Sequence, residues 1–233
     1  MKGYVSSIQS MGTLDGPGVR FVVFLQGCNL RCGCCHNPET QSVFGGDEYT
    51  PEQIAKKCEK YRSYFGAKGG ITLSGGEPLL QASFAKEVFA ECKNRGINTC
   101  LDTSGSIIND EVLSLLDFCD HVLLDIKYHT DELYKKHVGC SINKPLEFLS
   151  VLNDKNIPTT LRQVIIPSLN DNADSMCFLK KLRENNSCVV KTELLPFKKI
   201  CLSKYDALGL EFPFKDFDTP SSELIKQLEK DCF

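Results

Sequence analysis

Short β-branched and aromatic runs alternate with helical stretches along most of this chain, and the alternation limits the folds that it can adopt. The strand pattern occurs in six segments: 19–26, 71–75, 98–105, 120–127, 159–167 and 188–196. The helical pattern occurs between them, in segments 51–62, 84–96, 108–117, 143–155 and 173–185. This order predicts an α/β fold with a sheet of parallel strands, either open and doubly wound or curled into a partial (β/α)6 barrel.

The composition favours one globular domain over residues 1–233. The chain is 42% hydrophobic and 24% charged, which supplies enough apolar material for a substantial core. Its net charge is −3 and its basic residues are interspersed with acids, so we expect no nucleic-acid partner. No apolar stretch has the length of a membrane span, and the N-terminus lacks a signal-peptide pattern. These features predict a cytoplasmic protein with no membrane partner.

Polar residues follow five of the six predicted strands, at the point where each strand ends. The sets are a cysteine loop from residue 28, Ser74 to Glu77, Asp102 to Ser104, Asp125 with Lys127, and Pro196 to Lys198. In parallel α/β folds the carboxyl ends of the strands carry the ligand site. Arg162 instead lies within the fifth strand, where a long cation would point into the interior of the sheet or barrel. We therefore expect one composite active site at the carboxyl ends.

Four of the thirteen cysteines are clustered in the loop after the first predicted strand: Cys28, Cys32, Cys34 and Cys35. An odd count in a reducing compartment argues against a disulfide framework. Soft thiolates in a short loop suit zinc, a disulfide switch or an iron-sulfur cluster. Zinc is disfavoured because no second C-x2-C pair follows. The spacing C-x3-C-x2-C offers three ligands to a four-iron cluster and leaves one iron open for a substrate.

This cysteine spacing, together with the G-G-E at 75–77, resembles that of the radical S-adenosylmethionine enzymes. Within them, the chain resembles the short, single-cluster activases of glycyl radical enzymes, from about residue 3 to at least residue 210. The matching segments are GTLDGPGVRFVVFLQGCNLRCGCCHNP, KYRSYF, GGITLSGGEPLLQ, GINTCLDTSG, VLLDIK, the strand of Arg162 and ELLPF. The resemblance implies a partial (β/α)6 barrel.

The resemblance also implies an activity. A [4Fe-4S] cluster and S-adenosylmethionine are the expected cofactors, with flavodoxin or ferredoxin as electron donor. Reductive cleavage of S-adenosylmethionine gives a 5'-deoxyadenosyl radical, which takes a hydrogen from a backbone glycine of a partner enzyme. The default partner is pyruvate formate-lyase, and the activase is expected to be a monomer.

Site residues follow from matching positions. Cys28, Cys32 and Cys35 would ligate the cluster, whereas Cys34 would lie beside the cofactor at a position where the family usually has an aromatic residue. A C-x3-C-x-C register that uses Cys34 instead remains a minor alternative. His36 and Asn37 resemble positions that line the same cofactor.

The other cofactor positions lie at later strand ends. Gly75 and Gly76 would let the backbone approach the ligand, and Glu77 would receive its amino group. Asp125 and Lys127 project to the same side of their strand and suit ribose hydroxyls and a carboxylate.

Two further positions match residues that face the glycine loop of the partner enzyme, namely Asp15 and Arg162. Lys198 stands where activases commonly have a histidine, and we expect it to reach a cofactor oxygen as a point charge. The alternative for Lys198 is a solvated lysine.

A monovalent cation site is also implied by the resemblance. Its ligands would be Asp102, Thr103, the carbonyl of Leu123, and Asp125. These are hard oxygen donors, which favour sodium or potassium over a soft transition metal.

Other interpretations remain open. The chain would act on a small molecule or nucleotide if it were a different radical S-adenosylmethionine enzyme, and a non-enzymatic electron carrier or zinc module would bind no S-adenosylmethionine. Taken singly, Gly75 and Gly76 fit an ordinary turn, Glu77 fits a helix N-terminal acid, and Asp125 with Lys127 fits a surface ion pair.

Overall fold

The computed structural model describes residues 1–232 of the chain. Eight strands lie in this range: β1 Gly3–Gly12, β2 Arg20–Leu25, β3 Asp47–Tyr49, β4 Gly70–Gly75, β5 Asn98–Thr103, β6 His121–Asp125, β7 Thr159–Ile165 and β8 Val189–Pro196. The α-helices in the same range are α1 Pro51–Glu59, α2 Arg62–Phe65, α3 Ala82–Asn94, α4 Asp110–Leu116, α5 Asp131–His137, α6 Asn143–Asp154, α7 Ala173–Asn185, α8 Leu202–Ala207 and α9 Ser222–Cys232. Short 3-10 helices occupy Pro38–Thr40 and Pro78–Gln81.

The strands form a mostly parallel, open sheet in the order β3-β1-β2-β4-β5-β6-β7-β8, which confirms the predicted α/β fold class. The six predicted strands correspond to β2 and β4–β8, and the five predicted helices to α1, α3, α4, α6 and α7. The sequence analysis missed two strands, β1 and β3, which pair antiparallel to each other. Neither has the apolar run of a buried strand, because Ser6, Ser7, Gln9 and Ser10 interrupt β1 and β3 has only three residues.

The chain divides into two compact units, and the first contains residues 1–29 and 40–123. In this unit β1 pairs antiparallel with β2, while β2, β4 and β5 pair in parallel. Leu25 at the end of β2 is in register with Gly75 at the end of β4, so the two polar segments that follow start side by side. Thr50 caps α1 through a capping box with Gln53, as the Thr-Pro start of that helix predicts.

The second unit contains residues 30–39 and 124–233. Its strands β7 and β8 pair in parallel from Thr159 and Val189 to Ile165 and Pro196. Its core includes buried residues of α6 and β7, such as Phe148 and Leu161. The assignment of residues 1–233 to a single domain stays a prediction.

Membrane-spanning helices were expected to be absent. Within residues 1–232, no helix combines the length and the apolar character that crossing a membrane requires.

Candidate active site

In the first unit, the two glycines of the G-G-E segment are required by the protein's own backbone. Gly75 has φ of +115°, and a Cβ there would lie 2.3 Å from the backbone nitrogen of Leu25. A Cβ on Gly76 would lie 2.0 Å from the carbonyl oxygen of Gly27. These approaches account for both glycines without a ligand. Their predicted contact with a cofactor therefore stays a prediction.

Glu77 is the most enclosed carboxylate of the predicted set, with 1% of its surface exposed. Its Oε1 accepts hydrogen bonds from the Leu79 amide (3.1 Å) and the Thr103 hydroxyl (2.6 Å). Its Oε2 accepts from the Ser104 amide (2.9 Å) and also from the Ser104 hydroxyl. The side chain caps the 3-10 helix Pro78–Gln81 and ties it to the end of β5. Glu77 thus has a structural role beside the predicted one toward an amino group.

The predicted cation ligands of the first unit have protein partners. Asp102 accepts a hydrogen bond from the Ser74 hydroxyl at 2.7 Å. The Thr103 hydroxyl donates to Glu77 and accepts from the Gly105 amide at 3.0 Å. Leu123 is buried within β6. The oxygens of Asp102 and Thr103 therefore take part in the hydrogen bonding at the carboxyl ends of β4 and β5.

Asp15 lies away from that group, in the loop that joins β1 to β2. Its carbonyl accepts a hydrogen bond from the Thr72 hydroxyl at 2.7 Å. Fully buried Arg20 ties the end of this loop to the sheet, because it donates to the Pro17 carbonyl (3.3 Å) and to Asn98 Oδ1 (2.8 Å). Burial lowers the pKa of this guanidinium. Because Arg20, Gly70 and Asn98 are paired at the starts of their strands, the structure does not bring Asp15 together with Glu77.

In the second unit, three of the clustered cysteines lie in the segment before Pro38–Thr40. Cys32, Cys34 and Cys35 are half-buried and not disulfide-bonded, and the same holds for Cys28 in the first unit. The Cys35 amide donates to the Cys32 carbonyl at 3.2 Å, which forms a tight turn. Across residues 1–232, no three His, Cys, Asp or Glu side chains form a ready metal-ligating group. Support for the cluster therefore comes from the spacing and chemistry of the thiols.

Asp125, Lys127 and Arg162 form a connected ion-pair group in the second unit. Lys127 Nζ lies 3.1 Å from Asp125 Oδ2, and Arg162 Nη2 lies 3.1 Å from Asp125 Oδ1. Burial would raise the pKa of Asp125, but the two cations outweigh it and hold that pKa below its usual range. Burial opposes the charged form of Lys127, yet Asp125 keeps the pKa of this amine well above its usual range. The group carries one net positive charge.

The ion-pair group lines a small cavity of about 10 Å³. The cavity is also lined by Cys34, Tyr128, Val164 and Ile166. Burial raises the pKa of the Cys34 thiol to about 11, although Lys127 opposes the shift. The Tyr128 hydroxyl is buried without a hydrogen-bond partner among the described side chains.

His36 and Asn37 both contact the segment that follows β8, and their predicted contacts with the cofactor stay predictions. His36 Nε2 lies 2.8 Å from the carbonyl oxygen of Lys198, so the ring donates to the backbone there. Burial lowers the pKa of His36, which favours the neutral ring. Asn37 Oδ1 accepts a hydrogen bond from Lys204 Nζ at 2.8 Å. The side chain of Lys198 is exposed, so its predicted reach toward a cofactor stays a prediction.

Two residues of this region were missed by the sequence analysis. Tyr128 directly follows the matched segment VLLDIK, and its position next to Lys127 could have indicated that it lies near the site. Lys204 had no signal, because it belongs to α8, a short helix that the pattern did not predict.

The donor set fits an iron-sulfur cluster with one open iron. Thiolates are the usual protein ligands of [4Fe-4S] clusters, and the loop offers three at the predicted spacing. The remaining polar groups are carboxylates, which are hard oxygen ligands, and an ammonium and a guanidinium, which are cationic hydrogen-bond donors. They suit the charged groups of an amino-acid ligand better than they suit an iron.

Comparisons with known proteins agree with the fold and the cysteine loop. Residues 22–178 match the model of the Radical SAM superfamily. The chain is 40% identical over 230 residues to pyruvate formate-lyase 1-activating enzyme of Escherichia coli strain K12, covering 97% of this chain and 94% of that protein. It is 40% identical over 229 residues to pyruvate formate-lyase-activating enzyme of Clostridium pasteurianum, covering 98% and 96%.

A solved structure supports the fold alone. A domain of pyruvate-formate lyase-activating enzyme from Bacteroides vulgatus matches with a TM-score of 0.58 and 20% identity, covering 70% of this chain and 91% of that chain. The family assignment depends on the superfamily match and on the two full-length identities. The chain therefore belongs to the Radical SAM superfamily and, within it, to the family of pyruvate formate-lyase-activating enzymes.

Proposed function

We propose that this protein activates a glycyl radical enzyme, with pyruvate formate-lyase as the partner. It would generate a 5'-deoxyadenosyl radical from S-adenosylmethionine, and this radical would take a hydrogen atom from one backbone glycine of the partner. The observation that carries the proposal is 40% identity over 97% of the chain to an activating enzyme of that name. Membership of the superfamily implies the [4Fe-4S] cluster and S-adenosylmethionine.

Cys28, Cys32 and Cys35 would hold three irons of the cluster, and Cys34 would line the cofactor site as a thiol. The tight turn from Cys32 to Cys35 supports this choice, because it places these two cysteines at the two ends of one turn. When bound, the cluster supplies the electron that cleaves the sulfonium of S-adenosylmethionine.

The net positive group of Asp125, Lys127 and Arg162 would orient the cofactor. Lys127 would pair with its carboxylate, and Asp125 would accept from its ribose hydroxyls. These residues share a small cavity of about 10 Å³ with Cys34, and the side chains of Asp125, Lys127 and Arg162 are 24%, 17% and 9% exposed. Partial burial strengthens the pairing on which such orientation depends.

The remaining predicted residues would complete the cofactor contacts. Gly75, Gly76 and Glu77 would approach the amino group, while His36 and Asn37 would line the nucleoside. Lys198 would add a charge from the segment after β8. Asp15 and Arg162 would face the glycine loop of the partner.

A bound sodium or potassium ion is part of the proposal. Its ligands would be Asp102, Thr103, the Leu123 carbonyl and Asp125, which are all hard oxygens. The test measures S-adenosylmethionine affinity and cleavage with sodium, with potassium and with a bulky organic cation. Equal values in all three media, together with an Asp102→Ala variant that matches the parent, would exclude the cation.

The proposed electron donor is flavodoxin or ferredoxin, and the proposed working state is a monomer in the cytoplasm. Clustered reduced thiols and the oxygen lability of exposed clusters both call for a reducing compartment. Sedimentation of the loaded protein, alone and with its partner, tests the monomeric state.

The activity test starts from anaerobic reconstitution with iron and sulfide, followed by dithionite and S-adenosylmethionine. Formation of 5'-deoxyadenosine is expected for the parent and for Cys177→Ala, a matched control because Cys177 is exposed and lies outside the cluster loop. Cys35→Ala should form none. A parent that binds iron but forms no 5'-deoxyadenosine would instead favour an electron carrier.

The partner test adds purified pyruvate formate-lyase to the same mixture. A glycyl radical signal in electron paramagnetic resonance is expected with the parent and absent with Cys35→Ala. If 5'-deoxyadenosine forms but the partner gains no radical, the substrate is another glycyl radical enzyme, a small molecule or a nucleotide.

A further inference from the structure

The segment that follows β8 holds the cysteine loop, residues 30–39, from one side. Lys204 Nζ donates to Asn37 Oδ1 at 2.8 Å and to Glu39 Oε1 at 2.5 Å. The Tyr205 hydroxyl donates to the Cys35 carbonyl at 3.3 Å. One short helix, α8, therefore supplies two neighbouring side chains that bond to three residues of the loop: Cys35, Asn37 and Glu39.

Phe214 packs directly on the backbone of the same loop. A Cβ at Gly33 would lie 2.1 Å from Phe214 Cε1, so only glycine leaves room for the ring. Phe214 is buried and lies edge-on to His137, with ring centroids 5.3 Å apart. The Gly33 amide donates to the His137 carbonyl at 2.9 Å. Gly33 is thus fixed by a hydrogen bond and by an aromatic ring.

Lys204, Tyr205 and Phe214 are not among the residues predicted to touch the cofactor, but Lys204 and Tyr205 bond to Asn37 and Cys35, which are. Lys204 is 42% exposed, so its ion pair with Glu39 contributes little through charge alone. Its effect comes from bridging two loop residues that follow Cys35. Metal sites need such supporting contacts, because ligands that are free to move bind their metal more weakly.

We propose that Lys204, Tyr205 and Phe214 form a clasp that holds the cysteine loop in its cluster-binding conformation. Lys204 and Phe214 are positioning residues that act through Asn37, Glu39 and Gly33. The proposal rests on the cluster-binding role of the loop under the proposed function. On this proposal, residues about 170 positions after the cysteine motif help the protein to retain its cluster.

The main variant is Lys204→Met, because a half-exposed methionine keeps the length of the side chain and endangers folding least. Lys215→Met is the matched control: Lys215 lies on the same segment but pairs with exposed Glu211. In the metal-free reduced protein, amide hydrogen exchange of residues 30–39 should quicken about threefold to tenfold in Lys204→Met. The control should exchange at the parent rate.

A second measurement follows iron release to a chelator from the reconstituted protein. Lys204→Met should lose iron about threefold to tenfold faster than the parent, and Lys204→Arg should recover part of the difference. Gly33→Ala should resemble Lys204→Met, because its methyl group would displace the Phe214 ring from the loop backbone.

The outcomes separate the clasp from the activity. If the parent loads iron and Lys204→Met matches it in both loop exchange and iron release, the clasp is wrong. If the parent itself takes up no iron, the cluster assignment fails, and with it the function proposed above. Faster loop exchange together with faster iron release, confined to the clasp variants, supports the proposal.

Discussion

Replacing Glu77 by glutamine tests whether its carboxylate is a structural cap or is held free for a ligand. The charged carboxylate accepts four hydrogen bonds, two of them from the backbone amides of Leu79 and Ser104. Glutamine has the same shape, but its NH2 group would replace one carboxylate oxygen. Because each of those oxygens accepts from a backbone amide, the NH2 group would face an N–H donor and leave it without an acceptor. Hydrogen bonds to a charged group contribute about 1.5–3 kcal/mol each, and an unpaired buried amide costs about 1–3 kcal/mol. We expect Glu77→Gln to lower the free energy of unfolding by about 3 kcal/mol.

The assay is urea unfolding of the metal-free, reduced protein without S-adenosylmethionine, so that only the protein's own contacts count. Glu87→Gln is the matched control, because Glu87 is exposed on α3, and it should change stability by less than about 0.5 kcal/mol. Ser104→Ala should fall between the two. If Glu77→Gln proves as stable as Glu87→Gln, the carboxylate is not engaged as a cap and its role lies in ligand binding alone.

Three further results are expected. Cys34→Ala should keep the iron content of the reconstituted protein and Cys35→Ala should lose it; the reverse result would shift the cluster register. Tyr128→Phe removes a buried hydroxyl that has no hydrogen-bond partner among the described residues, so stability should stay nearly unchanged. Tyr134→Phe removes the acceptor of the Lys127 amide (2.9 Å) and should lower the free energy of unfolding by about 1–2 kcal/mol in thermal unfolding. Equal effects of the two variants would contradict this difference. The pKa of Asp125 is lowered in the folded state. Its contribution to the free energy of unfolding is therefore fully present above the unfolded pKa of about 3.9 and is lost as the pH falls through the folded pKa. The difference in stability between the parent and Asp125→Asn should shrink on acidification, and a pH-independent difference would refute the ion pairing.

The sequence predicted the parallel part of the fold because its strands are continuous apolar runs. β2 reads RFVVFL and is almost entirely buried, which is the pattern of a strand covered on both faces. β1 reads GYVSSIQSMG, where serines and a glutamine interrupt the apolar residues without strict alternation. Two register shifts also interrupt its pairing with β2. Its place in the sheet depends on pairing partners that lie elsewhere in the chain.

The sequence also predicted which residue types gather at the site, but not their partners. The spacing of the cysteines and the pair at Asp125 and Lys127 were readable because they are local. The bond between Lys204 and Asn37 joins residues 167 positions apart, and neither side chain carries a pattern that would pair them. Contacts of this kind are set by tertiary packing, which short-range periodicity does not encode.

Asp125 has contacts in the structure that the sequence did not predict. Sequence reasoning gave this carboxylate to ribose hydroxyls and to a monovalent cation, since two acids at neighbouring strand ends would otherwise repel. In the second unit, Lys127 and Arg162 already supply that neutralisation, each at 3.1 Å. A ligand carboxylate that pairs with Lys127 would therefore compete with Asp125 for the same amine. The net positive charge of the three residues favours such an exchange, because Arg162 remains to balance Asp125 after Lys127 has turned to the ligand. On this reasoning Lys127 would be available to the proposed cofactor while its charge is paired with Asp125 inside the protein. Arg162 pairs with the same carboxylate, in addition to its proposed role toward the partner.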